Sequence, residues 1–259
     1  MLFRSPKGRP VAEGVELVAQ VLFKMIAFVM LTAPIGAFGA IAFTVGKYGP
    51  SSLIALGKLV GSFYLCCALF VILILFPVAR VFGVNLLRVI RYIGAELMLV
   101  AGTSSGESVF PRINAKLRAL GCKDSVVALV LPAGYAFNHD GTCLYYATVS
   151  VFLAQAVGID LSLTQQVGLL FIMLVTSTGG AGVAGSAIVM LATTLSATGT
   201  IPVASVGLIL GVHRLLSSAF VPVNVLGNTI ATLAISKMEG ALDVERLERE
   251  LQNGPERTA

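Results

Sequence analysis

The sequence predicts an all-α integral membrane protein, with multi-pass helices, two re-entrant helical hairpins and discontinuous helices. Three observations predict it. Charged residues make up 12% of the chain and hydrophobic residues 56%, against about 25% charged in a soluble domain. The runs Met25–Gly46, Leu59–Ala79, Leu161–Val212 and Leu215–Ser236 contain no Asp, Glu, Lys or Arg. Closely spaced polar and glycine clusters interrupt the apolar sequence, whereas the strands of a membrane barrel would alternate at every second residue.

Residues 1–10 are polar and basic, without a short apolar core and small-residue cleavage site, so they do not read as a signal peptide. Residues 11–83 hold two transmembrane helices. The first runs from about Val11 to Phe43, kinked at Pro34-Ile35-Gly36, and Lys47-Tyr48-Gly49-Pro50 is a loop. The second runs from about Leu53 to Val81. Its uncharged part, 21 residues between Lys58 and Arg80, measures about 32 Å, one crossing of the hydrocarbon.

Residues 84–236 form a core of a different kind. In Leu86–Leu120, Arg88, Arg91 and Glu96 leave an apolar stretch too short to span. It ends in Gly102-Thr103-Ser104-Ser105-Gly106-Glu107-Ser108 and continues as a short helix into the basic cluster Arg112, Lys116, Arg118, Lys123. Two short arms around a Gly/Ser turn predict the first hairpin, a plain extramembrane loop being the alternative. Next, Asn138-His139-Asp140-Gly141-Thr142 separates Val126–Phe137 from Cys143–Gly158. Only the two runs together reach the roughly 20 residues of a crossing, which puts the polar cluster near mid-membrane, an extramembrane loop between two short buried helices being the alternative. A central Asp costs about 2.5–3.5 kcal/mol on insertion scales and marks a functional site by default. The 52 uncharged residues of Leu161–Val212 would be about 78 Å long as one helix, over twice the hydrocarbon thickness. They must turn back, at Thr176 to Ser186, as the second hairpin. Pro202 opens the last segment, to about Ser236, with Asn224 and Asn228. Residues 237–259 are a charged, helix-prone tail, expected as a solvated cytoplasmic helix.

A hairpin tip thus precedes Asn138 and Asp140, and a second precedes Asn224 and Asn228, the order from which secondary transporters build a midplane site. An alkali cation needs several hard oxygens. Asn138 and Asp140 supply them from side chains, freed carbonyls at Gly134 and Ala136 from the backbone, and Asn224 and Asn228 from one helical face. Each Asn read singly is an interhelical hydrogen bond. Free N–H groups and hydroxyls at the Ser/Gly tips suit an anionic or zwitterionic substrate.

Taken together, Ala33-Pro34-Ile35-Gly36-Ala37-Phe38-Gly39, Gly102-Thr103-Ser104-Ser105, Gly121-Cys122-Lys123, Asn138 with Asp140-Gly141-Thr142, Gly182-Val183-Ala184-Gly185-Ser186 and Ile201-Pro202-Val203 resemble the dicarboxylate/amino acid:cation symporters. Bacterial four-carbon dicarboxylate transporters are the nearest branch, and the likeness runs from about Pro10 to Gln252. The resemblance implies a glutamate-transporter-like elevator fold, its C-terminal part, in a homotrimer of the inner membrane. The coupling ion would be sodium or a proton, with no other cofactor. Substrate would meet Ser104, Ser105, Thr142, Gly180, Gly182, Asn224 and the position of Phe220. Cation would meet Gly134, Ala136, Asn138, Asp140, Ser177, Thr178, Asn224 and Asn228.

This sequence departs from that pattern in four places. It is shorter by roughly four N-terminal helices, which raises the alternative of a truncated, non-transporting relative. Phe220 stands where the family has an Arg that grips a distal carboxylate, which Phe cannot replace. His213 stands where an Asp is usual, so an acid and a base are lost together and no buried charge is orphaned. His139 stands where an apolar residue is usual, either as a new polar contact or as a harmless neutral imidazole. These changes point to a neutral or more apolar substrate, or to no transport at all.

Other classes fare worse. The +5 charge is scattered at the ends of apolar runs, as the positive-inside rule and lipid headgroups require, so no nucleic acid is implied. Cys66, Cys67, Cys122 and Cys143 have no metal spacing and no disulfide framework. Two isolated histidines without a nucleophile–base pair do not make an enzyme. The expected partners are membrane lipids and a small carboxylate or amino acid.

Overall fold

A computed structural model describes residues 31–177 and 185–254, with isolated positions between 14 and 28. Among these residues the secondary structure is helical, with one isolated bridge between Cys122 and Leu242. Helix α1 (Ala33–Tyr48) carries Pro34 in its first turn, where a missing N–H costs nothing. Leu31 and the described positions before it are helical and Thr32 is a turn, so the helix breaks where the kink is expected. The expected loop at Lys47 shrinks to Gly49, which stops α1 at a φ of 82°, and Pro50, which opens α2.

Helix α2 (Ser51–Val81) is one of two described helices long and apolar enough to cross a membrane. It buries Leu56, Leu59, Phe63 and Cys67, a stripe that ordinary helix periodicity would continue at positions 74 and 78. The buried residues are Leu75 and Ala79 instead. A π turn at Val71–Leu75 supplies the extra residue. It sits just before Pro77, which has no N–H for the helical ladder.

Helices α3 (Leu86–Tyr92) and α4 (Gly94–Thr103) lead to the first Gly/Ser turn, followed by a 3₁₀ turn at Glu107–Val109 and α5 (Phe110–Ala119). The arms are tied by charge. Lys116 Nζ lies 2.6 Å from Glu96 Oε2 and donates to the Tyr92 carbonyl at 2.7 Å, and Glu96 is buried. A buried pair of this kind costs about 3–5 kcal/mol to break by removing one partner. Lys116, read from sequence as part of an interfacial basic cluster, is thus a fastener.

Helices α6 (Asp124–Phe137) and α7 (Asp140–Ala156) meet at the Asn138–His139 break. Helices α8 (Leu163–Ser177) and α9 (Ser186–Thr198) flank the second breaker cluster and are joined by Thr176 and Thr194, whose hydroxyls lie 3.0 Å apart. The segment opened by Pro202 divides into a 3₁₀ turn at Val203–Ile209 and α10 (His213–Met238). Helix α10, the second membrane-length helix, is the axis. It packs against α7, α6, α4 and α2.

The tail helix α11 (Val244–Asn253) is capped by Asp243, which accepts from the Arg246 amide at 3.0 Å. It is not wholly solvated: Leu247 and Leu251 are buried, and it packs on α3. Its approach is clasped to the α5–α6 turn. Lys123 N donates to Ala241 O at 2.9 Å, Asp243 N to Gly121 O at 3.0 Å, and Arg246 Nε to Ala119 O at 2.8 Å. Gly121 has a φ of 93°, and a Cβ there would lie 2.8 Å from the Asp243 carbonyl oxygen, so only glycine fits.

Candidate functional site

The site is built where α10 crosses the α6–α7 break. Helix α6 ends because Asn138 and His139 leave helical geometry, at ψ of 89° and 55°. Its last carbonyls, Ala136 among them, meet no intrahelical amide, and Gly134 O accepts from Asn138 N at 2.7 Å. The negative end of one half-helix thus faces the positive end of another, with Asp140 in the first turn of α7.

Three glycines allow the crossing. A Cβ on Gly227 would strike Asp140 Oδ2, one on Gly141 would strike the Phe220 carbonyl oxygen, and one on Gly134 would lie 2.5 Å from Asn228 Oδ1. Side chains then interlock across the gap. Asn138 Nδ2 donates to Asn228 Oδ1 at 2.9 Å. Asn224 Oδ1 accepts from the amides of Gly141 at 2.7 Å and Thr142 at 3.3 Å, and its Nδ2 donates to Thr142 Oγ1 at 2.8 Å. Asn224 therefore caps α7 from a different helix, satisfying two of its orphan donors.

The structure brings Gly134, Asn138, Asp140, Thr142, Asn224 and Asn228 into one constellation. Asn138 Oδ1, the half-buried Asp140 carboxylate and the α6 carbonyls are its hard oxygens; Asn224 Oδ1 is committed to the cap. Among the described residues no three His, Cys, Asp or Glu side chains converge as a metal site.

The first turn closes on the same helix. Thr103 ends α4 and Ser104 takes a φ of 53°, the one described non-glycine residue with positive φ. Its buried hydroxyl lies 2.8 Å from that of Ser217, which donates to Arg214 O at 2.9 Å. Arg214 in turn caps α4, donating to the carbonyls of Thr103, at 3.0 Å, and Gly102. Ser105 is half-buried, and its carbonyl accepts from Ser108 Oγ at 2.7 Å. Sequence reasoning missed Arg214 and Ser217. It also missed Tyr135, three residues before Asn138 on the same face. The Tyr135 hydroxyl is buried with no hydrogen-bond partner among the described residues, and its ring packs edge-on against Phe110 at 5.0 Å beside Gly106.

Phe220 and His213 lie together, as their spacing requires, around a residue that sequence did not single out. Tyr145 Oη lies 3.1 Å from His213 Nδ1, with ring centroids 5.1 Å from Phe220 and 5.4 Å from His213. Phe63 of α2 completes the cluster at 6.3 Å. Phe220 is 5% exposed. It fills an aromatic core rather than lining an opening. The side chain of Ser177, and Thr178, Gly180 and Gly182, lie outside the described residues.

A model of the sodium:dicarboxylate symporter family matches residues 1–238. Curated relatives agree. A C4-dicarboxylate transport protein of Laribacter hongkongensis is 51% identical over 246 residues, 95% of this chain and 56% of the relative. Its counterpart in Deinococcus deserti is 52% identical over 244 residues, 94% and 55%. That of Acinetobacter baylyi is 48% identical over 249 residues, 96% and 56%. The chain thus spans little more than half the length of the curated relatives it matches.

Proposed function

From the premise that this chain, a membrane protein, belongs to the sodium:dicarboxylate symporter family, we propose that it works as a cation-coupled symporter. It carries small dicarboxylates or amino acids across the inner membrane, with sodium or protons as the coupling ion. The observation that carries this reading is the interlock of α10 with the α6–α7 break, where Asn138 meets Asn228 at 2.9 Å beside Asp140.

The cation is taken by the Asp140 carboxylate, Asn138 Oδ1 and the carbonyls of Gly134 and Ala136, at the negative end of α6. The Asn138–Asn228 bond turns the amide oxygen of Asn138 away from its own donor and toward the ion. Substrate is held between Thr142 and the first tip, where Ser105 and the buried Tyr135 hydroxyl offer donors. The stretch around Ser104 acts as a re-entrant hairpin tip, and the core moves as an elevator within a trimer. Purified protein in proteoliposomes should accumulate radiolabelled succinate or aspartate under a sodium or proton gradient. No gradient-driven uptake of these or of neutral amino acids would overturn the proposal.

One observation favours a second reading. The aromatic packing of Phe220 on Tyr145 and His213 leaves the turn of α10 before Asn224 without a cation for a second carboxylate. A neutral substrate, or a chain that does not transport, accords with that. Uptake of neutral amino acids without dicarboxylates in the same assay would select it.

A further inference from the structure

We propose that the cleft at the end of α2 is a binding site for the headgroup of an anionic phospholipid. The cleft measures about 650 Å³ and is lined by Phe76, Arg80, Gly83, Asn85 and Leu87 among others, none of them acidic. Arg80 lines it, and a second cation from a distant part of the chain, Lys237, reaches its edge at Gly83. Arg80 projects from the last turn of α2. Lys237, in the last turn of α10, lays its ammonium across the turn that follows α2, where a Cβ on Gly83 would lie 2.8 Å from its Nζ. Gly83 has a φ of 66°; the bare α-carbon is what lets the lysine cross. Among the described residues neither Arg80 nor Lys237 has an ion pair or a side-chain hydrogen bond.

Two cations gathered without a counter-ion repel one another, and an anion between them reverses the sign of that term. Arg and Lys together match a phosphate, one as a fork and one as a point charge. The surroundings identify the rest of the ligand. The cleft opens beside the outward apolar face of α2, where Ile72, Leu73 and Val81 are exposed, and its own walls include the exposed Phe76 and Leu87. A phosphate next to an apolar wall on a membrane-length helix describes a phospholipid better than a free ion.

Native mass spectrometry of the full chain in detergent, titrated with phosphatidylglycerol and phosphatidylcholine, tests this. The protein should retain one phosphatidylglycerol in preference to phosphatidylcholine. Arg80→Gln/Lys237→Gln should bind phosphatidylglycerol about tenfold more weakly, with melting temperature in lipid-free detergent and phosphatidylcholine retention unchanged. If the double variant does not fold, Arg80→Gln alone, an exposed and unpartnered side chain, should give a loss of about threefold. Equal retention of both lipids, or undiminished retention by the variants, would overturn the proposal. Displacement of the lipid by millimolar inorganic phosphate would assign the cleft to a free anion and overturn it too.

Discussion

Helices α2 and α10 are both long and apolar enough to cross a membrane, yet they use that length in opposite ways. In the most apolar stretch of α2, 22% of residues are buried, against 67% in α10, the less apolar of the two. In water this ranking would be inverted, because burial follows apolarity. In lipid an apolar side chain gains little by turning inward, whereas an amide or hydroxyl gains a partner. Helix α10 accordingly buries Asn228, Thr229, Thr232 and Ser236. Thr229 and Thr232 donate to carbonyls four residues back, each at 2.8 Å, so a polar helix reaches the centre with those hydroxyls satisfied. What sets α10 apart is the polar groups buried among its apolar ones.

Glycine gives the widest test of that contrast. Gly227→Ala places a methyl group on the Asp140 carboxylate, and overpacking of this kind costs about 3 kcal/mol. Gly61→Ala on α2, with nothing within 4 Å of the new atom, should instead be neutral or stabilise by up to about 1 kcal/mol. Thermal unfolding of the two variants in one detergent measures the difference, and equal melting temperatures would erase the distinction between the helices.

The next effect concerns the ion. If the crossing holds sodium, salt at about a hundred times the Kd raises stability by about 2.7 kcal/mol. Sodium against potassium melting curves should show that rise in the native protein and not in Asp140→Asn. A rise that persists in the variant would move the cation away from α7.

The smallest effect tests the cap. Asn224→Ala should cost about 1 kcal/mol by freeing the Gly141 and Thr142 amides. Hydrogen exchange should quicken first at the start of α7, while α2 keeps its protection; uniform acceleration would mean Asn224 does no local work.

Much of this arrangement was legible in the sequence because cost leaves a mark. Asn138, Asp140, Asn224 and Asn228 are expensive in hydrocarbon, so their presence announced the crossing, and their spacing put the last two on one face. Glu96 was legible as a charge but not as half of a pair, since its partner Lys116 resembles any interfacial lysine. Tyr135, Ser217 and Arg214 left no mark. Tyrosine and serine are ordinary in apolar helices, and Arg214 acts on carbonyls, which every residue has. The π turn before Pro77 was hidden likewise, because it shows only when the buried stripe of α2 is followed past position 71. Phe220 and His213 were noticed as departures, but their meeting place, Tyr145, was one aromatic among several in α7.

The clasp between the tail and the α5–α6 turn also bears on how the molecule is made. Ala119 waits for Arg246, 127 residues further along the chain. At a synthesis rate of about 5–20 residues per second, that is on the order of ten seconds. During that interval the Gly121 carbonyl and the Lys123 amide are without these partners. The ribosome must deliver the tail before the base of the core can lock, so closure of the core is timed by translation.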